Sequence, residues 1–281
     1  VSAAISKEAH YMRVSIALLA ALCAALGLAA STGAAPAASS HGQLLHVRAN
    51  TNESSNWFGY NQGTLEKGGT LFNSITGDWT VPTASSHTKG QDEYSSDWIG
   101  IGGGCVDTGC TVGDNTLIQT GTEQDAPATS GSSYSAWWEI IPGPSIDISM
   151  TIQPGDHMHA AIDETVPSSN VWVITLQDVT RNETFSQTIP YSSTHATAEW
   201  IEETPLILGT NAGFAALPNL TSPVFDNATV NGASANLNTS EEIDLIDSNS
   251  HVIGTPSAPD PEADGFNACT WATSCSAPSS S

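Results

Sequence analysis

From residue 55 onward the chain is a series of short apolar-alternating runs broken by Gly, Pro, Asn and Ser. Residues 72–81, 97–101, 115–119 and 133–141 are such runs. Residues 145–152, 157–162, 171–178, 183–189 and 199–202 follow, then 212–217, 224–230, 243–246 and 266–271. Alternation with a period of two puts successive side chains on opposite faces of a strand. Outside residues 14–30, no long window holds the 3.6-residue period of an amphipathic helix. Short strands at roughly 8–12-residue spacing with turn signals between them predict an all-β sandwich or barrel. Pro154-Gly155-Asp156 is a turn leading into a strand. Residues 255–263 form a Pro/Asp/Ala loop before the final strand.

The exception, residues 14–30, is an apolar run with Arg13 before it and small residues after it. This is the pattern of a secretory leader, and the Ala/Gly/Ser content of 29–40 favours cleavage over a membrane anchor. Met12-Arg13 is a conventional start, which leaves residues 1–11 as upstream read-through or an alternative start. The expected organisation is a signal peptide over 1–35 and a short pro-segment or flexible N-terminus over 36–53. One β-sandwich domain over 54–275 and a loose tail over 276–281 follow.

Charge changes the picture more than length does. Among 281 residues there are 29 acidic and 6 basic side chains, a formal charge of -23. After Lys89 the remaining basic side chain is Arg181, so ion pairs cannot balance the acids. Nucleic acid and anionic membrane are disfavoured as partners. The chain is still no disordered acidic tail, because 39% of it is hydrophobic and eight residues are Trp. In acid, as carboxylates protonate near pH ~4, self-repulsion fades and few salt bridges are lost.

Export permits disulfides. Cys23 belongs to the leader, leaving Cys105, Cys110, Cys269 and Cys275. The short loops Cys105–Cys110 and Cys269–Cys275 are the expected pairing. A zinc site is the alternative, but acid would protonate the thiols and the spacings are not those of zinc ribbons.

Familiar catalytic signatures are missing. The sequence has no G-x-S-x-G and no H-E-x-x-H, phosphate loop or dinucleotide fingerprint. Asp107-Thr108-Gly109 occurs without a second such triplet, so a pepsin-type pair cannot form. His157 and His159 share a strand face but lack a third ligand in register, and read as surface histidines. Two stretches carry chemistry instead. In Leu117-Ile118-Gln119-Thr120-Gly121 one amide interrupts an apolar strand. In Thr197-Ala198-Glu199-Trp200-Ile201 a carboxylate sits between Ala and Trp, where desolvation raises a pKa towards that of a general base. A Gln donor aimed at an oxyanion has the merit of not titrating in acid. Read alone, each is more often an ordinary buried or edge residue.

Six motifs in order shift that balance. Ser54-Ser55-Asn56-Trp57, Asp78-Trp79-Thr80-Val81-Pro82 and Trp98-Ile99-Gly100-Ile101-Gly102-Gly103 come first. Leu117-Ile118-Gln119-Thr120-Gly121, Ala136-Trp137-Trp138-Glu139-Ile140-Ile141-Pro142 and Ala198-Glu199-Trp200-Ile201 follow. Over residues 54–271 the chain resembles the glutamic peptidases, the eqolisin family. The resemblance implies a sandwich of two curved antiparallel sheets, a concanavalin A-like or lectin-like jelly roll. It also implies a secreted, pepstatin-insensitive acid endopeptidase. Gln119 and Glu199 fall on the family's catalytic dyad. Glu139 falls on a supporting acid, and Trp57, Trp98 and Trp138 fall where the substrate cleft is lined. Gly102 stands where the fungal enzymes carry an Asp near the dyad, which bears on the proton network and the pH optimum.

The implied mechanism activates a water on Glu199 and stabilises the oxyanion with Gln119. It uses no metal, no cofactor and no covalent intermediate. Unfolded or exposed polypeptide would be the substrate, and the protein a monomer. Two other classes fit a lectin-like sandwich. A carbohydrate-binding module would stack sugars on the tryptophans. A glycosidase would pair Glu139 with Glu199 across one bond.

Overall fold

A computed structural model describes residues 48–50, 52–207 and 213–279. The segment expected to be a secretory leader lies outside the described residues. Among the described residues the regular secondary structure is almost entirely strand. In chain order its principal strands are β1 Trp57–Gly63, β2 Ser74–Thr80, β3 Glu93–Gly102, β4 Leu117–Ala126, β5 Ser133–Ile140, β6 Ile146–Ile148 and β7 His157–Glu164. They continue as β8 Val171–Asp178, β9 Glu183–Pro190, β10 Thr197–Glu203, β11 Val224–Val230, β12 Glu242–Ile246, β13 Val252–Pro256 and β14 Phe266–Thr270.

These strands make two curved antiparallel sheets. The first runs β12-β1-β10-β3-β4-β5-β6. The second runs β9-β8-β7-β2-β11. Along one edge β14 pairs with β11, and β13 links β14 to β12, so the two sheets are joined there. Closing an edge in this way removes unpaired backbone groups that would otherwise invite another chain.

The second sheet shows the alternation that its sequence promises. Met158, Ala160 and Ile162 of β7 and Trp172, Ile174 and Leu176 of β8 point inward, with partly or fully exposed residues between most of them. The first sheet differs. Every residue of β1 and of β10 is buried, so both of its faces are covered. One face carries Phe58, Tyr60, Ile99, Ile101, Ile118, Trp138, Ala198 and Trp200 into the main core. The other carries a smaller cluster of Trp57, Trp98, Leu117, Trp137 and Ile201.

Each sheet sends a tryptophan into the other. Trp200 Nε1 donates to the Thr76 carbonyl at 2.8 Å, and Trp79 Nε1 donates to Thr122 Oγ1 at 2.9 Å. Trp200 fits because Gly77 opposes it: a Cβ at Gly77 would lie 2.7 Å from Trp200 Cδ1. Trp200→Ala would leave a large cavity and an unpaired carbonyl between the sheets. Its expected cost is ~3–5 kcal/mol in a urea unfolding titration; a loss below ~1 kcal/mol would show that the sheets are not pinned here.

Both expected disulfides are present, with Cα–Cα distances of 4.8 Å for Cys105–Cys110 and 5.6 Å for Cys269–Cys275. Thiols tied in this way are no zinc ligands. The pattern of alternation missed β1 and β13 and stopped β4 at Gln119, whereas β4 runs on to Ala126. Of the strand expected over 212–217, residue 212 lies outside the described residues. Gly213–Phe214 pairs with Leu206–Ile207 as a two-residue strand.

Candidate active site

Antiparallel register puts directly opposed residues on the same face of a sheet. Across the first sheet, Asn61 of β1 faces Glu199 of β10, and Glu199 faces Gly100 of β3. Gly100 in turn faces Gln119 of β4, and Gln119 faces Glu139 of β5. Five consecutive strands thus build one row, Asn61-Glu199-Gly100-Gln119-Glu139. Neighbouring strands lie about 4.8 Å apart, so the Glu199 and Gln119 backbones are ~10 Å apart. The space over Gly100 is taken by Trp98 and Leu117. A Cβ there would come within 2.9 Å of the Trp98 ring and 3.0 Å of Leu117 Cδ1, which lie over the glycine between the two.

Glu199, Gln119 and Glu139 are fully buried. Gln119 Nε2 donates to Glu139 Oε2 at 2.7 Å. That contact fixes which end of the amide is the donor end and leaves a second N–H on the same nitrogen. Gln119 Oε1 and both carboxyl oxygens of Glu199 have no hydrogen-bond partner among the described residues. A buried polar atom without a partner costs ~1–3 kcal/mol. The row bears part of that cost, and Gln62, Asp97, Gln124 and Glu202 bear more of it on the opposite face of the same sheet.

Burial pushes the Glu199 carboxyl well above the ordinary glutamate range, and the charge of Asp114 adds to this. The Thr197 hydroxyl and the Gly104 N–H act in the opposite direction without reaching full hydrogen-bond geometry on its oxygens. Gln119 gives Glu199 no bond; its amide is turned to Glu139.

A loop closes over Glu199. Gly102 and Gly103 take φ of 99° and 91°, a backbone region that favours glycine. A Cβ at Gly104 would collide with Asn61 Oδ1 and approach Glu199 Oε1 to 2.5 Å. Asn61 holds this loop by two bonds to Cys105, Nδ2 to the carbonyl and Oδ1 from the N–H, both at 2.9 Å. The same geometry explains Gly102, since a Cβ there would run into the Thr116 carbonyl oxygen. An Asp cannot stand at 102 in this chain without moving β3 or the strand entry after it.

Trp57 and Trp98 share the face of the row and meet edge to face, with ring centroids 4.8 Å apart. Trp98 Nε1 donates to Glu203 Oε2 at 2.7 Å. Trp138 does not join them. Glu139 lies on the row, so its neighbour Trp138 points to the opposite face and into the main core. Trp137 takes the position on the site face, with Nε1 donating to Ser96 Oγ at 3.0 Å.

Other clusters lie apart from the row. His157 and His159 both bond to Asp78, at 2.9 Å and 2.5 Å, on the second sheet. Burial pushes Asp78 up, but the two histidines outweigh it and hold it below the usual carboxylate range. Asp226, Asp260 and Asp264 bring carboxylate oxygens within 4.8 Å of one another near the joined edge. Cavities of about 550 Å³ beside Phe214 and Trp271, and about 330 Å³ beside Glu66 and Asp107, contain no residue of the row.

A family model described as the Peptidase A4 family matches residues 55–262. The chain belongs to the peptidase A4 family, the eqolisins. The six ordered motifs had implied this membership. Aspergillopepsin-2 of Aspergillus niger is 30% identical over 188 residues, covering 57% of this chain and 60% of that protein. The chain thus aligns with less than two thirds of that relative's length. Among solved structures, scytalido-glutamic peptidase with a transition state analog inhibitor superposes with a TM-score of 0.57 at 20% identity, over 77% of this chain and 98% of that one. SCP-B, an eqolisin in complex with the tripeptide Ala-Ile-His, gives 0.53 at 18% identity over the same shares. At such identities the likeness establishes the fold of this family member, and its site must be argued from its own residues.

Sequence reasoning did not find Asn61 or Asp114. Asn61 lies in a strand whose glycines read as turn signals, and Asp114 reaches Glu199 only through the path of the disulfide loop.

Proposed function

We propose that this eqolisin is a secreted acid endopeptidase, insensitive to pepstatin, that hydrolyses exposed polypeptide with Gln119, Glu199 and an activated water. The observation that carries this reading is the row itself. A buried carboxyl and a buried amide flank a glycine on one face, with acceptor atoms that have no partner among the described residues. The pepstatin-sensitive arrangement, two aspartates sharing a proton, has no counterpart in the row. Secretion is supported by two disulfides, which persist in oxidising compartments.

In the proposed reaction, the fraction of Glu199 that is ionised at the working pH takes a proton from water and the hydroxide oxygen bonds to the peptide carbonyl carbon. Negative charge develops on the carbonyl oxygen and accepts the free N–H of Gln119 Nε2. Donors preorganised in a dry site are worth far more there than in water. Glu199 then returns its proton to the amine nitrogen as the C–N bond breaks. Glu139 holds the Gln119 amide in its donor orientation throughout.

Gln119→Ala tests the oxyanion role. Removing one such donor is expected to lower kcat by about 10²–10³-fold with a small change in KM. The near-ultraviolet circular dichroism of the variant should match the wild type. A folded Gln119→Ala protein with wild-type kcat would overturn the assignment.

A further inference from the structure

Asp114 is buried, at 4% exposure, at the end of the loop that covers Glu199. Its carboxylate is built in rather than incidental. Oδ1 accepts from the Thr116 N–H at 2.9 Å and the Thr116 hydroxyl at 3.0 Å. Oδ2 accepts from the Thr194 hydroxyl. Its own N–H donates to the Gly104 carbonyl at 2.9 Å. On its other side Gly104 N–H donates to Thr197 Oγ1 at 3.2 Å, and the Gly104 Cα lies against Glu199 Oε1. The Gly104 backbone thus bonds the Asp114 main chain on one side and packs against Glu199 Oε1 on the other, while Thr194 bonds the Asp114 carboxylate and Thr197 bonds Gly104.

We propose that Asp114 is a positioning residue of the peptidase site: a built-in carboxyl group, held beside the Gly104 segment, that sets the charge state in which Glu199 awaits substrate. The proposal rests on the Gln119/Glu199 reading.

The surroundings leave Asp114 as the charge that matters at this spot. β1 offers Asn61, β3 offers Gly100, and β4 offers Gln119, all neutral. Glu139 lies beyond Gln119 and is bonded to it. Glu203, on the strand of Glu199, is bonded to Trp98. Tyr191, whose hydroxyl accepts the Leu117 N–H at 2.7 Å, is a further titratable group beside Asp114, and His195, next to Thr194, is bonded to Glu164. Like charges disfavour each other's ionised forms. Asp114 therefore reinforces burial in keeping the Glu199 proton on at low pH, in agreement with the upward displacement of Glu199.

The test is the acid limb of kcat/KM, measured side by side for wild type, Asp114→Asn, Asp114→Glu and Glu199→Gln. Asp114→Asn keeps an oxygen for the Thr116 N–H and removes the charge. Its limb should move to lower pH, so that the ratio of variant to wild-type kcat/KM rises about twofold or more from the plateau to the foot of the limb. Asp114→Glu should keep the limb near its wild-type position. If Asp114→Asn does not fold, Asp114→Ser reads the same limb. A uniform fall in rate with an unmoved limb would mean a merely structural Asp114 and overturn the proposal. That outcome with Glu199→Gln inactive leaves the dyad standing; an active Glu199→Gln protein removes the dyad and the proposal together.

Discussion

Glu199→Gln should abolish peptidase activity in a protein that remains folded. The substitution keeps the shape and removes the base, a loss of at least about 10²–10⁴-fold from general-base catalysis alone. It carries a second, opposite signature in stability. Burial raises the folded-state pKa of Glu199, so the native protein holds a proton that the unfolded chain releases at lower pH. Stability from that proton is fully present below the ordinary glutamate value near 4.3 and is lost as pH rises through the folded value. Gln does not titrate. The variant should therefore fall behind the wild type in activity and overtake it in stability as pH approaches neutrality. Substantial turnover by the folded variant, or a stability deficit that grows with pH, would contradict this.

Glu202→Gln should change the pH dependence of stability in the same direction. Glu202 and Asp97 oppose each other in the β10–β3 register, on the core face of the first sheet. Both are fully buried, and Gln124 Nε2 donates to Asp97 Oδ2 at 3.1 Å and to Glu202 Oε2 at 3.2 Å. Burial raises both carboxyls; the charge of Asp97 and the bond to it raise Glu202 further, and neighbouring Glu203 adds to this. The bond that Glu202 gives Asp97 lowers Asp97 in part, so Glu202 is the proton-holding partner. A pair that must keep a proton stabilises the fold in acid and loses that contribution from about pH 4 upward. Gln at 202 still donates an N–H to Asp97 without holding a titrating proton. The wild type should therefore lose more stability than Glu202→Gln between acid and neutral pH. Urea midpoints across that range measure it. Parallel curves for the two proteins would place the acid dependence elsewhere.

The two sheets were unequally legible in the sequence. Val171–Asp178 and Val224–Val230 were read with the bounds that they have. In β8 one face meets solvent, so polar and apolar residues alternate. β1 was missed and β4 truncated because both faces of the first sheet are covered. There, buried Gln62, Thr120, Thr122 and Gln124 break any apolar pattern while bonding inside the fold or across the core. Gln119 and Glu199 stood out as polar interruptions within motifs that resemble a family. Trp138 was placed in the cleft for want of register: one residue along a strand changes the face, and the tryptophan on the face of the row there is Trp137. Asn61 and Asp114 become visible only when five strands and a disulfide loop converge on Glu199.

The most direct measurement is cleavage itself. Purified protein is incubated with an acid-denatured protein substrate, with pepstatin and a metal chelator present, and the fragments are mapped by mass spectrometry. The Gln119/Glu199 account predicts internal peptide-bond cleavage at acid pH that pepstatin and the chelator leave unchanged. Absence of cleavage by the wild type across the acid range, or its suppression by either reagent, would contradict it.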